Sequence, residues 1–167
     1  MSFIKNKNHH LKYNEQKHYL ATNAIGELKI DFDKLIDLNI NQKPSRANIT
    51  PQTNAILFSK LMGENKVIPT SDWESKFIFS TGMYSVNSKN NDYLLGFLLS
   101  NAFQIQKKIF STGTTMKGIN DLTLKQIKIK DTNDNDNNSI CRLLSKLICY
   151  ETKMNKLKEL FTNLLIV

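Results

Sequence analysis

SICRLLSKLICYETKMNKLKELFTNLL, residues 139–165, is the stretch on which the reading of this chain turns. Ile140, Leu143, Leu147, Tyr150, Met154, Leu157, Phe161 and Leu164 follow one another at alternating spacings of three and four. That is a repeat of 3.5, which keeps one apolar stripe facing a partner helix, whereas a solitary surface helix drifts off it. Lys146, Glu151, Lys153, Lys156, Lys158 and Glu159 lie off the stripe, and no Pro or Gly interrupts it. A helix over this range is roughly 40 Å long at about 1.5 Å per residue. Such a rod at the end of a small chain predicts a docking or dimerisation device and not the wall of an active site.

Ahead of it, the 167 residues leave room for one domain. DTNDNDNN (131–138) is polar, so the expected organisation is a globule over 1–130, a linker over 131–138 and a spacer helix over 139–167. Within the globule, residues 1 to about 17 are polar and aperiodic and predict a loosely attached arm. YLATNAIGELKI (19–30) suits one or two strands turning at Gly26, and DFDKLIDLNI (31–40) suits either a helical turn or a strand. NQKPSRANITPQ (41–52) carries two of the three prolines and reads as a loop. AILFSKL (55–61) predicts a buried strand, MGENK a turn, VIP a short strand, and KFIFSTGMYSV (76–86) strands bending at Gly82. DYLLGFLLSNAFQIQKKIF (92–110) changes to helical spacing through Leu94, Leu95, Leu98, Leu99, Phe103, Ile105 and Ile109, with Asn91 or Asp92 as cap. STGTTMKGIND (111–121) is a loop, and LTLKQIKIK (122–130) alternates as a strand. The fold class expected is α+β: a mixed-sheet domain followed by a long C-terminal coiled-coil helix.

Composition narrows the function. Twenty-one Lys and two Arg against 15 acids give +8, a surplus that attracts polyanions such as nucleic acid. The 20 Asn and the Lys excess also fit codon bias in an AT-rich genome. Cys141 and Cys149 lie about 12 Å apart along the predicted helix and cannot bridge within it, which fits a reducing compartment. The start of the chain lacks the apolar core of a signal peptide, and no apolar run is long enough to span a bilayer. A cytoplasmic protein off the membrane is expected. His9, His10 and His18 show no metal-ligand spacing. There is no phosphate loop, no GxGxxG, no nucleophile elbow, no adenosylmethionine motif and no Asn-Pro-Pro-aromatic motif. Asp31 and Asp33 form a close acidic pair, and a solvated face suits them better than a metal. The chain is expected to be no enzyme and to need neither cofactor nor metal.

Candidate binding residues fall in the two loops. Lys43, Ser45, Arg46 and Asn48 form the first group, and Arg46, the one Arg of the globule, suits bidentate contact with guanine. Asn48 and Gln52 offer the donor–acceptor pair that adenine matches. Thr112, Thr114, Thr115, Lys117 and Asn120 form the second group, suited to phosphates or base edges, and Lys60, on the far side of the strand AILFSKL, is expected to join them. The same residue types also simply favour turns. Trp73 is expected at the rim of the core.

The succession YLATNAI, AILFSKL with its Gly turn and VIP, FIFSTGMYSV, YLLGFLLSNAFQIQKKI and STGTTMKGINDLTLKQIKI resembles the target-recognition domain of type I restriction–modification specificity subunits. The pattern there runs through an ILFS strand, an aromatic helix and a G-[ST]-T-x-x-x-I loop; KMNKLKELFTNLL resembles the family's spacer helix. The match spans roughly residues 18 to 165. It departs in three ways: this chain holds one recognition domain and one helix where the family has two of each, it begins with the polar MSFIKNKNHH, and DTNDNDNNSI replaces the family's proline-rich helix lead-in. The resemblance implies a DNA sequence-recognition subunit that reads one half of a bipartite site on double-stranded DNA. It also implies partners: modification (methyltransferase) subunits that supply adenosylmethionine and catalysis, and restriction (motor) subunits. A chain with one domain and one helix restores the two-headed arrangement as a homodimer or by pairing with another specificity chain. Two other readings compete. One is an adaptor acting through its coiled coil without reading DNA; the other is the product of a truncated recombination cassette.

Overall fold

The structure, a computed structural model, describes residues 4–5, 17–38 and 44–129. In the C-terminal segment it describes Ser139, Arg142, Leu143, Lys146, Leu147, Cys149, Tyr150, Lys153, Met154, Leu157, Leu160 and Phe161.

Apolar residues on both sides of one short strand organise the globule into three layers. That strand is β5 (Ile56–Ser59), in which every residue is buried. It pairs antiparallel with β6 (Val67–Pro69) and with β8 (Met83–Asn87), and β8 pairs antiparallel with β1 (Ile4–Lys5), giving the sheet order β1-β8-β5-β6. A second four-stranded sheet runs β3-β2-β7-β4, built from β2 (Lys17–Leu20), β3 (Leu35–Leu38), β4 (Ala47–Ile49) and β7 (Ile78–Ser80). Its β2–β7 pair is parallel and the others antiparallel, so this sheet is mixed. Because side chains alternate along a strand, Leu57, Ile68 and Met83 of the first sheet meet Leu20, Ile49 and Phe79 of the second in one core. Ile56, Phe58, Val67, Tyr84 and Val86 point the other way, under the helices.

The helical layer is α1 (Asn91–Leu99) and α2 (Asn101–Phe110), whose Leu94, Leu95, Leu98 and Phe103 close the second core. The single helix expected over 92–110 is broken at Ser100. There the backbone is extended (φ −79°, ψ 155°). The Ser100 hydroxyl donates to the Phe97 carbonyl at 2.6 Å and accepts from the Phe103 amide at 3.3 Å, ending one helix and capping the next. The break resets the inward face. Ile105 and Ile109, expected in the core, are 60% and 67% exposed, and Lys107 is buried in their stead.

Other expectations are also corrected. Asn90, not Asn91 or Asp92, caps α1 by accepting from the Tyr93 amide. The loop over 41–52 contains β4, whose Ala47 and Ile49 are buried. Part of the N-terminal arm pairs, Ile4 opposite Asn87 and Lys5 opposite Val86. Residues 122–130 form no strand among those described; Asn120 makes a capping box with Thr123 and opens α3 (Asp121–Leu124), so Leu122 is exposed while Leu124, Ile127 and Ile129 are buried. The segment 31–40, open between turn and strand, is both: a 3-10 turn over Phe32–Lys34 and then β3. The linker 131–138 lies outside the described residues. Every described residue from Ser139 to Phe161 is helical.

Candidate nucleic-acid interface

Arg46 and Lys117 of the two candidate loops are 71 residues apart in sequence, and the bend between β7 and β8 brings the loops together. Thr81 and Gly82 separate these two strands, which belong to different sheets. On one side of the bend the Thr81 amide donates to the Arg46 carbonyl at 2.8 Å; on the other the Lys60 amide donates to the Gly82 carbonyl at 2.9 Å. Lys60 in turn accepts, through its carbonyl, from the Ile119 amide at 3.0 Å, and the Met62 amide donates to the Lys117 carbonyl at 2.9 Å. Arg46, Thr81, Gly82, Lys60 and Lys117 thus lie on successive hydrogen-bonded neighbours. Three steps of about 4.8 Å make a row on the order of 15 Å across, comparable with the roughly 12 Å major groove of B-DNA.

Glycine permits the closest of these contacts. A Cβ on Gly118 would lie 2.9 Å from the Lys60 carbonyl oxygen, and one on Gly82 3.1 Å from Thr22 Oγ1. The loop 112–118 is closed on itself by Thr112 and Gly118, each donating its amide to the other's carbonyl at 2.8 and 3.0 Å. Gly113 opens the intervening turn with φ +115°, where a Cβ would meet the Met116 carbonyl oxygen at 2.6 Å.

The Lys60 ammonium sits 4.3 Å from the centre of the Tyr84 ring, a cation–π contact that fixes its aim. The Tyr84 hydroxyl donates to Asp121 Oδ1 at 2.7 Å, and burial, reinforced by that carboxylate, pushes the phenol far above its usual range. Glu64 is taken by the Lys66 ammonium at 2.7 Å and by the Ser59 hydroxyl.

Each sequence-nominated residue has a place. Ser45 and Arg46 are exposed in the turn before β4, Asn48 is half-buried where the β4–β7 register shifts, and Lys43 lies outside the described residues. Thr112, Thr114, Thr115 and Lys117 are exposed in the second loop, beside Lys60. Asn120 is exposed but its side chain is occupied: the oxygen accepts from the Leu122 and Thr123 amides, and Nδ2 donates to Thr112 Oγ1 at 3.2 Å. Gln52 does not join the row. Its carbonyl accepts from Thr70 Oγ1 at 2.7 Å, at the end of β5 where Ile56 pairs with Pro69, away from Lys60. Thr81 and Gly82 were missed by sequence reading, which saw a bend at Gly82 but not that the bend joins the loops. Trp73 is at the rim, 46% exposed and edge-on to Phe77 at 5.1 Å.

The C-terminal residues meet the globule at the end opposite the row. Cys149 and Lys153, with Ile56, Pro69, Thr70, Glu74, Asp92 and Leu95, line a cavity of about 480 Å³. Ile56 opens β5 and Lys60 follows its last residue, so the two are roughly 13 Å apart at about 3.3 Å per residue. Leu143, Leu147, Tyr150, Met154, Leu157 and Phe161 of the apolar seam are all 48–64% exposed; Ile140 and Leu164 lie outside the described residues. Among the described residues there is no group of three metal-ligating side chains, and no helix is long and apolar enough to cross a membrane.

No protein-family model matches the chain, and no curated protein matches it. Solved structures do. A chain of a type I R-M system, solved for its complex assembly and conformational transition, matches 89% of this chain with a TM-score of 0.62 and 16% identity. The HsdS subunit from Thermoanaerobacter tengcongensis matches 87%, again with a TM-score of 0.62 and 16% identity. This chain spans 39% and 37% of those two chains. Its fold is that of part of a type I specificity subunit.

Proposed function

We propose that this chain is a DNA sequence-recognition component of a type I restriction–modification system, non-catalytic itself, reading one half of a bipartite site on double-stranded DNA. The observation that carries the reading is the row joining Arg46, Lys60 and Lys117 through the Thr81–Gly82 bend, at the end of β5 opposite Cys149 and Lys153. Phosphates are met by Lys60 and Lys117, with Thr112, Thr114, Thr115 and Ser45 offering hydroxyls. Arg46 reads a guanine edge, Asn48 lies next to it, and Asn120 holds the second loop in shape. Lys43 extends the first loop's charge. Gln52, at the other end of β5, is left out of the contact surface.

The division of labour follows: residues 1–130 hold the duplex, 131–138 connect, and 139–167 form the spacer helix. The seam from Ile140 to Leu164 pairs with a second helix, in a homodimer or with another specificity chain, because a stripe of exposed Leu, Tyr, Met and Phe is otherwise left in water. Modification subunits dock on the assembled pair and supply adenosylmethionine and catalysis; motor subunits join them. The setting is the cytoplasm.

The test is reconstitution. The purified chain, mixed with a matching modification subunit and adenosylmethionine, should direct adenine methylation to one duplex sequence, with binding that weakens as salt rises. Complex formation with the modification subunit but no site-specific methylation would favour the adaptor reading and refute this one.

A further inference from the structure

Lysines avoid protein interiors because the ammonium gives up its hydration there. Lys107 on α2 is nevertheless 1% exposed, with its Nζ 5.3 Å from the centre of the Phe103 ring. That ammonium donates to the carbonyls of Glu64, at 2.5 Å, and Ser59, at 3.4 Å. Ser59 and Glu64 are the two ends of the turn that carries Lys60, and that turn contains Gly63 at φ +81° with open space around it. The backbone carbonyl of Lys107 accepts from Ser111 Oγ at 2.6 Å, where the second loop begins. The Lys107 side chain therefore grips both ends of the turn that carries Lys60, while its backbone carbonyl holds Ser111.

Stability alone does not account for a charge in this position. Burial pulls the Lys107 ammonium down to about 8, against the opposing pull of the Glu64 carboxylate. An apolar side chain of similar volume commonly replaces a buried charge at no loss, or with a gain. A cation between two carbonyls does what an apolar group does not: it fixes their separation.

We infer that Lys107 is a positioning residue for the row. By pinching the Lys60 turn shut, against which residues 117–119 are hydrogen-bonded, it gives Lys60 and Lys117 one fixed spacing and so sharpens discrimination between duplex sequences. The inference rests on the DNA-recognition reading for its consequence, but not for its geometry.

The full chain carrying Lys107→Met tests it in two arms. In the first, hydrogen exchange is followed at the amides of Met62 and Ile119, which donate across the row, and at Gly26 and Asp31, which bond elsewhere. The expected result is exchange at least tenfold faster at the two row amides and unchanged at the two controls, with a thermal midpoint equal to or above wild type. Unchanged exchange at the two row amides overturns the inference. So does faster exchange everywhere with a lowered midpoint, or a variant that does not fold, because either makes Lys107 a general structural prop. In the second arm, duplexes enriched by the wild-type chain from a randomised library are compared with unrelated duplex. The variant should lose roughly tenfold in that ratio while the salt dependence of unrelated-duplex binding stays the same; an unchanged ratio overturns the positioning role. If wild type enriches nothing, the DNA reading fails, and the exchange arm still decides whether Lys107 fixes the turn.

Discussion

Replacing Gly118 by Ala puts one methyl group between two backbones. The new Cβ would lie 2.9 Å from the Lys60 carbonyl oxygen, 3.4 Å from the Lys60 carbonyl carbon and 3.5 Å from the Leu61 Cα. These are main-chain atoms of a turn fixed on its other side by the Gly82 carbonyl, so no flexible side-chain end can yield. Gly118 has no left-handed φ, so alanine adopts its backbone conformation without strain and the clash is the whole perturbation. Relief requires the 112–118 loop to back away, which lengthens the Ile119-to-Lys60 and Met62-to-Lys117 hydrogen bonds, now 3.0 and 2.9 Å. At a net value of about 1 kcal/mol each, the loss is about 2 kcal/mol. For a chain of this size that lowers the thermal midpoint by roughly 4–8 °C. The functional cost is larger than the stability cost suggests, because the movement carries Lys117 off the row. Thermal unfolding and duplex binding, measured on the same preparation, check both parts. A Gly118→Ala chain with the wild-type midpoint and wild-type affinity would refute the docking of this loop on Lys60. A Gly63→Ala chain is the control: its cost comes from φ +81° alone, with nothing within 4 Å of the added methyl.

Four further outcomes are expected. Arg46→Ala should relax preference at one guanine position by about 1–3 kcal/mol, read from binding to a panel of single-base variants. Lys117→Ala should instead weaken all duplexes evenly and reduce the salt slope by about 1, read from binding at stepped salt. Leu147→Asp should dissociate the paired helices by placing an unpaired charge in a dry seam, read as a halving of mass by sedimentation with the globule still folded. The fourth is a pH dependence set by Lys107. Its folded-state value near 8 lies below the ordinary 10.5, so between those limits the unfolded chain binds the extra proton and stability rises with pH. The rise attributable to this group is about 3 kcal/mol. Urea unfolding at pH 7.5 and 10 should show it in wild type and not in Lys107→Met.

The strands with unbroken apolar runs were legible in the sequence because burial on both faces leaves no ambiguity: ILFS at 56–59, VIP at 67–69 and the pair around Gly82 stand where they were expected. The helices were legible as a period but not as a break, since Ser100 is one hydroxyl whose choice between helix and cap depends on Phe97 and Phe103. That one residue turned Ile105 and Ile109 outward and Lys107 inward. LTLKQIKIK reads as a strand by alternation, yet the Asn120 capping box imposes a helical turn, and Leu122 is left exposed. β4 was hidden by the prolines that flank it. For the site, composition pointed to both loops, while their meeting did not show: it depends on β7 and β8 crossing between sheets, which no local pattern records. Gln52 looked equivalent to Asn48 in sequence, but Asn48 lies in β4 beside β7, whereas the Gln52 carbonyl is bonded to Thr70 beyond the paired ends of β5 and β6.

The most direct measurement is enrichment of a randomised duplex library by the full-length wild-type chain, with its mass determined on the enriched DNA. A row that reads one half-site, on a chain paired through its C-terminal seam, predicts an interrupted inverted repeat bound by two copies. Enrichment of nothing, or of a single uninterrupted half-site held by one copy, would contradict it.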